Sequence, residues 1–316
     1  MSRWLLALPV LAISTSAGAE RLASSVDGLE GPIAIPVVGG SIAPAGKWPD
    51  AVAVLGPQGS CSGTLIAPDV VLTAGHCAEI HPTEVIADTT NYNSPGGIKV
   101  GITSVTAYPN WRNTFDVSVV VLAQPITSVT PRNLGVGCTF QHFTANMQVH
   151  LVGFGLTDAS GTGSNTQLRE AMASVLDPDC SGGNGCASGA APAGEFVAGG
   201  GGTDSCFGDS GGPVYLDTPR GPVVIAAVSR GLAHSPTPCG GGGIYVRTDK
   251  VLAWIETTVG HAVAKDTCTD DSAEAPSSGG DEVSGCAAGG GGASWLAIGA
   301  VIGGLVTARR TRRSSR

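Results

Sequence analysis

Short apolar runs closed by turn-forming residues are the feature that most narrows the folds open to this chain of 316 residues. Between Val37 and Ile255, Val, Ile, Leu and Thr gather in short runs, and Gly, Pro, Asn and Asp separate them. The clearest runs are Ala51–Leu55, Val70–Leu72, Val117–Leu122, Val149–Val152 and Val223–Val228. Short strands with frequent turns are typical of an antiparallel barrel or sandwich. The sequence therefore predicts an all-β body, and its 48 glycines argue against a helical one.

One helical pattern follows the last of these runs. Its apolar positions fall on one side at the helical spacing, and they are Val251, Leu252, Ile255 and Val259. Thr248 or Asp249 is expected to cap the start of this helix, and Gly260 is expected to end it. The all-β body is therefore predicted to finish with a C-terminal helix.

Residues 1–19 have the pattern of a secretory signal peptide. A basic start at Arg3 precedes the apolar run Trp4–Ile13, and the small-residue step Ala17-Gly18-Ala19 follows. The alternative is a buried first helix, which that combination of charge, apolar run and cleavage site disfavours. We therefore expect the protein to be exported and cut after Ala19.

The C-terminal end is predicted to be a linker and an anchor. Residues 266–285 are rich in Ser, Gly, Asp and Glu, a composition that cannot bury enough apolar surface to fold. After Cys286 come the apolar stretch Trp295–Val306 and five arginines. Residues 286–316 resemble the C-terminal sorting tails of myxobacterial surface proteins, which implies cleavage near Cys286 and a lipid-anchored protein. A plain membrane anchor is the alternative, although the stretch is shorter than the roughly 20 residues of a usual span.

The charge of the body excludes one class of partner. Between Val37 and Gly285 the chain carries 10 basic and 22 acidic residues, a net charge of −12. Nucleic-acid binding needs a basic surface that faces the phosphates. We therefore expect no nucleic-acid partner.

The nine cysteines predict disulfides. In an exported chain, cysteines pair more often than they bind metal, and no Cys-x-x-Cys pair with metal-binding spacing occurs. The odd count is explained if Cys286 belongs to the tail. No zinc site or redox centre is expected.

Three motifs carry side chains suited to acyl transfer. His76 ends the run Leu72–Cys77, and a histidine both takes and returns a proton near neutral pH. Asp116 precedes the apolar run Val117–Leu122, where a part-buried carboxylate needs a donor such as an imidazole N–H. Each of these two motifs alone is also compatible with an ordinary surface histidine or turn aspartate.

The third motif is the long string Asp204–Val214, which contains Gly208-Asp209-Ser210-Gly211-Gly212-Pro213. Glycines on both sides of Ser210 allow a sharp turn and a close approach to a substrate carbonyl. The backbone N–H groups of Gly208 and Ser210 are then expected to form an oxyanion hole. A chance glycine-rich turn accounts for Gly-x-Ser-x-Gly but not for the whole string.

Together the motifs resemble those of the trypsin-like serine proteases over roughly residues 37–260. The matching segments are Val37-Val38-Gly39-Gly40, Thr73-Ala74-Gly75-His76-Cys77, Phe115-Asp116-Val117 and Gly208–Pro213. The resemblance implies two six-stranded antiparallel β-barrels within residues 37–265, with the active site between them. It also implies a triad in which Ser210 attacks a peptide carbonyl, His76 is the general base and Asp116 orients His76. The chemistry needs no metal or organic cofactor.

The resemblance further implies that residues 20–36 are a propeptide. In this family, cleavage before the position of Val37 frees an amine that pairs with the acid at Asp209. Here Pro36 precedes the bond, and a trypsin-like enzyme does not normally cut after proline. We therefore expect another peptidase to remove residues 20–36.

The resemblance also assigns a specificity pocket. Asp204 matches the acid that favours Arg or Lys side chains, Gly231 and Gly243 match open pocket walls, and Ser229 matches a substrate-backbone contact. Arg230 replaces the usual aromatic residue, so we expect it either to repel a basic substrate or to neutralise Asp204. A surface aspartate in a displaced loop is the alternative for Asp204.

The resemblance implies two disulfides, Cys61–Cys77 beside His76 and Cys206–Cys239 beside the pocket. Cys180 with Cys186 closes a small loop that the family does not specify, and Cys138 with Cys268 is the remaining pair. Sequence alone does not establish this connectivity.

The sequence as a whole predicts a secreted or surface-anchored serine endopeptidase that acts on proteins or peptides, after Arg or Lys, as a monomer. Two alternatives stay open. One is a regulatory protease with a single natural substrate, and the other is a catalytically weak binding module on the same fold.

Overall fold

The computed structural model describes residues 37–158, 160–162 and 165–268, which form thirteen strands and one α-helix. The predicted signal peptide, the propeptide, most of the acidic linker and the tail with Cys286 lie outside the described residues. Within the described ranges, no helix has the length and apolar character needed to cross a bilayer.

The first barrel is a closed sheet of six antiparallel strands. After the short strand β1 (Ser41–Ile42), these are β2 (Ala51–Gly56), β3 (Gly59–Ala67), β4 (Val70–Thr73), β5 (Glu84–Ala87), β6 (Ile98–Ala107) and β7 (Ser118–Leu122). Neighbours pair in the order β2-β3-β4-β7-β6-β5, and β5 pairs with β2 to close the barrel. Closure leaves no free strand edge in this half of the body.

The second barrel closes in the same way. Its strands are β8 (Gln148–Gly153), β9 (Arg169–Asp177), β10 (Glu195–Ala198), β11 (Pro213–Leu216), β12 (Val223–Gly231) and β13 (Gly243–Arg247). They pair in the order β8-β9-β10-β13-β12-β11, β11 pairs with β8, and β1 extends the sheet beside β9. The predicted fold of two six-stranded antiparallel barrels is therefore confirmed.

Alternation along the strands fills both the barrel interiors and the interface between the barrels. In β2, Val52 and Val54 point into the first barrel, whereas Ala51 and Ala53 join an apolar cluster with Tyr215 of the second barrel. Successive side chains of a strand point to opposite faces, so one strand serves both the barrel interior and the interface. This double burial explains why the sequence runs are almost wholly apolar.

The predicted C-terminal helix is α1 (Thr248–Val259). Val251 and Ile255 are fully buried in the cluster between the barrels, as the pattern predicts. Gly260 ends the helix with a φ of 79°, also as predicted. The predicted N-cap is wrong, because the cap position is Arg247 and no side chain caps the helix. Thr248 instead donates its hydroxyl to buried carbonyls, among them Gly135 O at 2.9 Å.

Four disulfides connect the described cysteines: the two pairings that the resemblance implies are confirmed, and the structure supplies the other two, which the sequence left open. They are Cys61–Cys77, Cys138–Cys268, Cys180–Cys186 and Cys206–Cys239. Asp266 is 5% exposed and accepts two bonds of 2.9 Å from Arg220. Asp266 and Cys268, at the start of the predicted linker, are thus fastened to the second barrel.

A buried ion pair lies at the interface between the barrels. Asp50, whose side chain is fully buried, accepts a hydrogen bond of 3.1 Å from Arg132 Nε. Tyr215 of β11 donates its hydroxyl to the same carboxylate at 2.7 Å, and its ring stacks on Trp48 at 4.2 Å. The Asp50 charge therefore depends on partners from both sides of the interface.

We predict that Arg132→Met lowers the free energy of unfolding by about 3–5 kcal/mol, because it leaves the buried Asp50 carboxylate without a cation. The control is Lys99→Met, which breaks an exposed pair with Glu84 and should cost less than about 1 kcal/mol. Urea unfolding of the disulfide-intact proteins measures both values. Equal losses in the two variants would contradict the proposed importance of the buried pair.

Candidate active site

His76 is placed by the end of β4 and by the turn that follows it. The 3₁₀ turn His76–Ile80 begins directly after Gly75, and the Cys61–Cys77 disulfide ties this turn to β3. A Cβ atom on Gly75 would lie 2.9 Å from Asp116 Oδ1, so glycine is needed for the close approach of that carboxylate. The Thr-Ala-Gly-His-Cys motif is therefore a packing requirement as well as a source of the imidazole.

Asp116 holds His76 through two hydrogen bonds. Asp116 Oδ2 lies 2.9 Å from His76 Nδ1, and Asp116 Oδ1 accepts the backbone N–H of His76 at 2.9 Å. Ser229 of β12 donates its hydroxyl to Oδ2 at 2.7 Å. Asp116 is 5% exposed, and burial alone would raise its pKa. The hydrogen bond and charge of His76 and the bond from Ser229 outweigh burial, so the pKa of Asp116 is lowered.

Ser210 reaches the same region from the second barrel. Its carbonyl accepts the backbone N–H of Ser62 on β3 at 2.9 Å. Gly211 has a φ of +78°, and a Cβ atom there would overlap Thr73 and the backbone nitrogen of Ala74. Only glycine lets the turn that carries Ser210 pack against the strand end that carries His76.

The three residues line one cavity of about 440 Å³ between the barrels. The structure thus brings His76, Asp116 and Ser210 together, as the sequence predicts. Among the other predicted residues, Ser229 and Gly231 also line this cavity. Trp111 and Phe207 line it as well, and neither was singled out by the sequence motifs.

Asp204 and Gly243 lie next to each other outside the cavity lining. Asp204 is 1% exposed, and its Oδ2 accepts the N–H groups of Gly240 at 3.2 Å and Gly242 at 3.1 Å. Its Oδ1 accepts the hydroxyl of Ser205, which does line the cavity, at 3.4 Å. A Cβ atom on Gly243 would lie 3.0 Å from Asp204 Oδ1. Ser205 therefore connects the buried acid with the cavity.

Burial controls the ionisation of Asp204. It raises the pKa of Asp204 to about 6, although the backbone N–H groups of Gly242, Ser205 and Gly240 partly oppose the rise. Hydrogen bonds satisfy the oxygens, but none of these bonds comes from a cation. Asp204 is thus a buried acid whose negative charge is not neutralised by its hydrogen-bond partners.

Asp209, next to Ser210, is a second buried acid. Its carboxylate accepts N–H groups from Gly155 at 2.8 Å and from Cys206 at 2.9 Å. Burial raises the pKa of Asp209 to about 7 despite these bonds. Val37, its predicted partner, is 1% exposed, and the carbonyl of the next residue, Val38, accepts the N–H of Asp204 at 2.9 Å. Val37, the first residue that the structure describes, is therefore packed into the second barrel, and the residue after it is bonded to Asp204.

Arg230 is not oriented as the sequence suggested. Its guanidinium forms a two-pronged ion pair with Glu195 on β10, at 2.8 and 3.0 Å, and also donates to Ser229 Oγ at 2.9 Å. The expectation that Arg230 neutralises Asp204 is wrong, because Glu195 holds the guanidinium instead. Sequence reasoning missed Glu195, although an acid at the start of the apolar strand Glu195–Ala198 signals the need for a cation.

Two groups of residues have metal-ligand chemistry, and both contain disulfides. They are Cys61, His76 and Cys77, and Cys180, Cys186 and Glu195. A thiolate is the cysteine form that binds metal, and disulfide sulfur is not a thiolate. Apart from disulfide sulfurs, these two groups therefore contain one imidazole and one carboxylate, and the carboxylate of Glu195 already binds Arg230.

We predict that the stability of the Asp204→Asn variant, compared with that of the wild type at the same pH, increases as pH rises. The folded-state pKa of about 6 lies above the ordinary value of 3.8, so the folded state binds the extra proton between these values. Wild-type stability therefore declines across this window, and the variant lacks that contribution. Between pH 4 and a pH above 6, the unfolding free energy of the wild type should therefore fall by roughly 2–3 kcal/mol relative to that of the variant.

Urea unfolding at several pH values measures this difference. The amide oxygen of the variant can still accept the N–H groups of Gly240 and Gly242. Its NH₂ group can donate to the hydroxyls of Ser205 and Tyr245, so the packing is retained. Parallel stability curves for the two proteins would contradict a raised pKa of Asp204.

Sequence comparisons agree with this geometry. The family described as Trypsin matches residues 37–255. The human transmembrane protease serine 5 is 28% identical over 244 residues, which are 72% of this chain but only 52% of that protein. The chain thus spans about half the length of that relative.

Two further relatives are aligned over most of their lengths. The trypsin Blo t 3 of Blomia tropicalis is 27% identical over 234 residues, covering 70% of this chain and 85% of that protein. The human chymotrypsin-like elastase family member 1 is 26% identical over 242 residues, covering 71% and 92%. With the two barrels and the shared cavity, these matches show that the chain belongs to the trypsin family of serine endopeptidases.

Proposed function

We propose that this chain hydrolyses peptide bonds through a catalytic triad of Ser210, His76 and Asp116. One observation carries the proposal: Asp116 binds both Nδ1 and the backbone N–H of His76 at the wall of a cavity that Ser210 also lines. A carboxylate on Nδ1 leaves Nε2 of the imidazole free to accept a proton. The substrates are proteins or peptides, as the family implies.

The proposed reaction has two stages. Ser210 Oγ attacks the peptide carbonyl carbon and gives its proton to His76 Nε2, which passes it to the departing amine as the C–N bond breaks. Water then attacks the resulting ester, gives a proton to His76, and releases the acid while Ser210 regains its proton. The N–H groups of Gly208 and Ser210 stabilise the oxyanion in both stages.

Cleavage after Arg or Lys is the proposed specificity. Asp204 is a buried carboxylate without a cation among its hydrogen-bond partners, and Ser205 links it to the cavity. A basic side chain of the substrate would provide the missing positive charge. Arg230 does not compete for Asp204, because Glu195 binds it.

Cleavage before Val37 is the proposed activation step. It would free an α-amino group next to a segment that is already buried in the second barrel, and a cation there would stabilise the ionised form of Asp209. Support comes from the burial of both residues and from the pKa of Asp209, which burial raises to about 7 in the uncut chain. Residues 20–36 would then act as a propeptide.

We predict that the full chain gains activity when it is cut before Val37. An enteropeptidase recognition sequence in place of residues 32–36 allows this cut. The cut protein should cleave peptide substrates with Arg before the scissile bond, and the uncut protein should be much less active. Ser210→Ala in the cut protein should lower kcat by at least about 10⁴-fold.

The control for specificity is Asp204→Asn, tested on Arg, Phe and Ala substrates. We expect a loss of roughly 100-fold or more in kcat/KM for the Arg substrate, because a buried charge pair loses one partner. Serine-dependent cleavage of only the Phe or Ala substrates would remove Asp204 from the specificity pocket. A folded cut protein that cleaves none of the peptides would contradict the proposed triad function and favour a binding module.

We also propose that the protein is exported and anchored at the cell surface through Cys286. The signal-peptide pattern, the four disulfides and the cysteine–apolar–arginine order of the tail support this proposal. The tail itself lies outside the described residues.

We predict that Cys286→Ala abolishes surface anchoring in the source cells. Wild-type protein should incorporate a labelled fatty acid and should lack the arginine cluster in its intact mass, and the variant should incorporate no label. Wild-type protein that keeps residues 287–316 and carries no lipid would contradict the sorting proposal and favour a plain membrane anchor.

A further inference from the structure

The Glu195–Arg230 ion pair directly contacts the hydrogen-bond network of the proposed triad. Arg230 Nη1 lies 2.9 Å from Ser229 Oγ, and Ser229 Oγ lies 2.7 Å from Asp116 Oδ2. Asp116 Oδ2 in turn lies 2.9 Å from His76 Nδ1. A continuous series of hydrogen bonds therefore runs from Glu195 on β10 to the imidazole in the first barrel.

The chemistry of the groups fixes the direction of these bonds. A guanidinium only donates hydrogen bonds, so Ser229 Oγ must accept from Arg230. The one hydroxyl proton of Ser229 is then directed to Asp116 Oδ2, because an ionised carboxylate can accept but not donate a hydrogen bond. Loss of Arg230 would remove the donor that orients the Ser229 oxygen.

Arg230 itself is firmly held. The Glu195 side chain is 1% exposed and binds both Nη atoms of Arg230, and it also accepts the N–H of Ala187 at 2.7 Å. Arg230 Nη2 donates to the carbonyl of Gly185 at 3.1 Å. Gly185 and Ala187 flank Cys186, so the small loop closed by Cys180–Cys186 supports both members of the ion pair.

We propose that Arg230, held by Glu195, is a positioning residue that fixes the Ser229 hydroxyl on Asp116 and so sets the electrostatic environment of the triad. This inference rests on the proposed triad function. Neither residue touches the reacting atoms, and Arg230 acts through Ser229.

The pair also places a positive end next to the triad. Arg230 lines the active-site cavity, whereas Glu195 lies behind it in β10. Other charged groups lie around the triad. Asp209 is next to Ser210 in the chain and interacts with Asp204 and Arg169. Arg112, which binds Glu79 and lies over the Trp111 ring, shares a cavity lining with Asp116 and Arg230. A nearby positive charge disfavours protonation of the general base.

The test compares two variants of the cut, full chain. Glu195→Gln keeps the positive charge of Arg230 but removes its counter-charge. The acid limb, which is the fall of kcat/KM at low pH as the general base is protonated, should therefore move to lower pH. Glu195→Gln with Arg230→Gln removes both charges and retains two amides that can bind each other, so the limb should move to higher pH. We expect shifts of about half a pH unit in opposite directions.

Ser229→Ala tests the route of the effect. The double Gln variant should lower kcat/KM by about 10-fold at the pH optimum. In a protein that already carries Ser229→Ala, the same double change should lower kcat/KM by less than about 3-fold. The effects are not additive because the Ser229 change and the Arg230 change remove the same series of hydrogen bonds to Asp116. The matched control is Arg220→Gln with Asp266→Asn, an ion pair of similar geometry outside the cavity lining, which should leave the limb and the rate unchanged.

Rates are normalised by active-site titration, so partial misfolding does not imitate the effect. Acid limbs that coincide in all proteins, or a uniform loss of rate with unchanged limbs, would overturn the inference while leaving the triad intact. Failure of the triad proposal is distinguishable, because the wild-type cut protein would then show no activity that depends on Ser210.

Discussion

The buried carboxylate of Asp116 is the constraint on which the arrangement of the site depends. It lies between the barrels with its charge stabilised by His76 from one side and Ser229 from the other. A buried carboxylate without such donors is costly, so neither barrel alone can provide a stable place for it. Satisfying this one charge brings the histidine turn and strand β12 into contact. Elsewhere in the same interface, the buried Asp50 carboxylate is likewise stabilised by donors from other elements, Arg132 and Tyr215.

Three buried acids near the cavity differ in the direction of their pKa shifts. Hydrogen bonds and the charge of His76 lower the pKa of Asp116, whereas burial raises the pKa of Asp204 to about 6 and that of Asp209 to about 7. Amide donors satisfy the oxygens of the latter two but bring no full positive charge. In the proposed function, the substrate side chain brings a cation to Asp204, and the new amino terminus adds a positive charge to that of Arg169 near Asp209. The fold thus keeps acids buried where outside partners are expected.

The elements that sequence reasoning placed incorrectly are those that depend on distant contacts. Thr248 has the chemistry of an N-cap, but its one hydroxyl proton is directed into a group of three buried carbonyls from other elements, all within 3.1 Å of Oγ1. Arg230 was expected either to repel a basic substrate or to neutralise Asp204, but the pairing of β10, β13 and β12 brings Glu195 to it. Local propensity does not reveal such partners, because they are 35 residues apart in the case of Arg230 and Glu195.

The structure established the full cysteine connectivity, whereas the sequence by itself predicted the β-rich body, the C-terminal helix and the motifs that supply the candidate site residues. These features follow from alternation, glycine-dependent turns and motifs whose residues are close in the chain, so their causes are local. Only the tertiary structure decided which charges are paired. It placed Asp116 against Ser229, left Asp204 without a cation among its hydrogen-bond partners, and bound Arg230 to Glu195. Ionisation and orientation depend on burial and on partners from other strands, and a linear pattern contains neither.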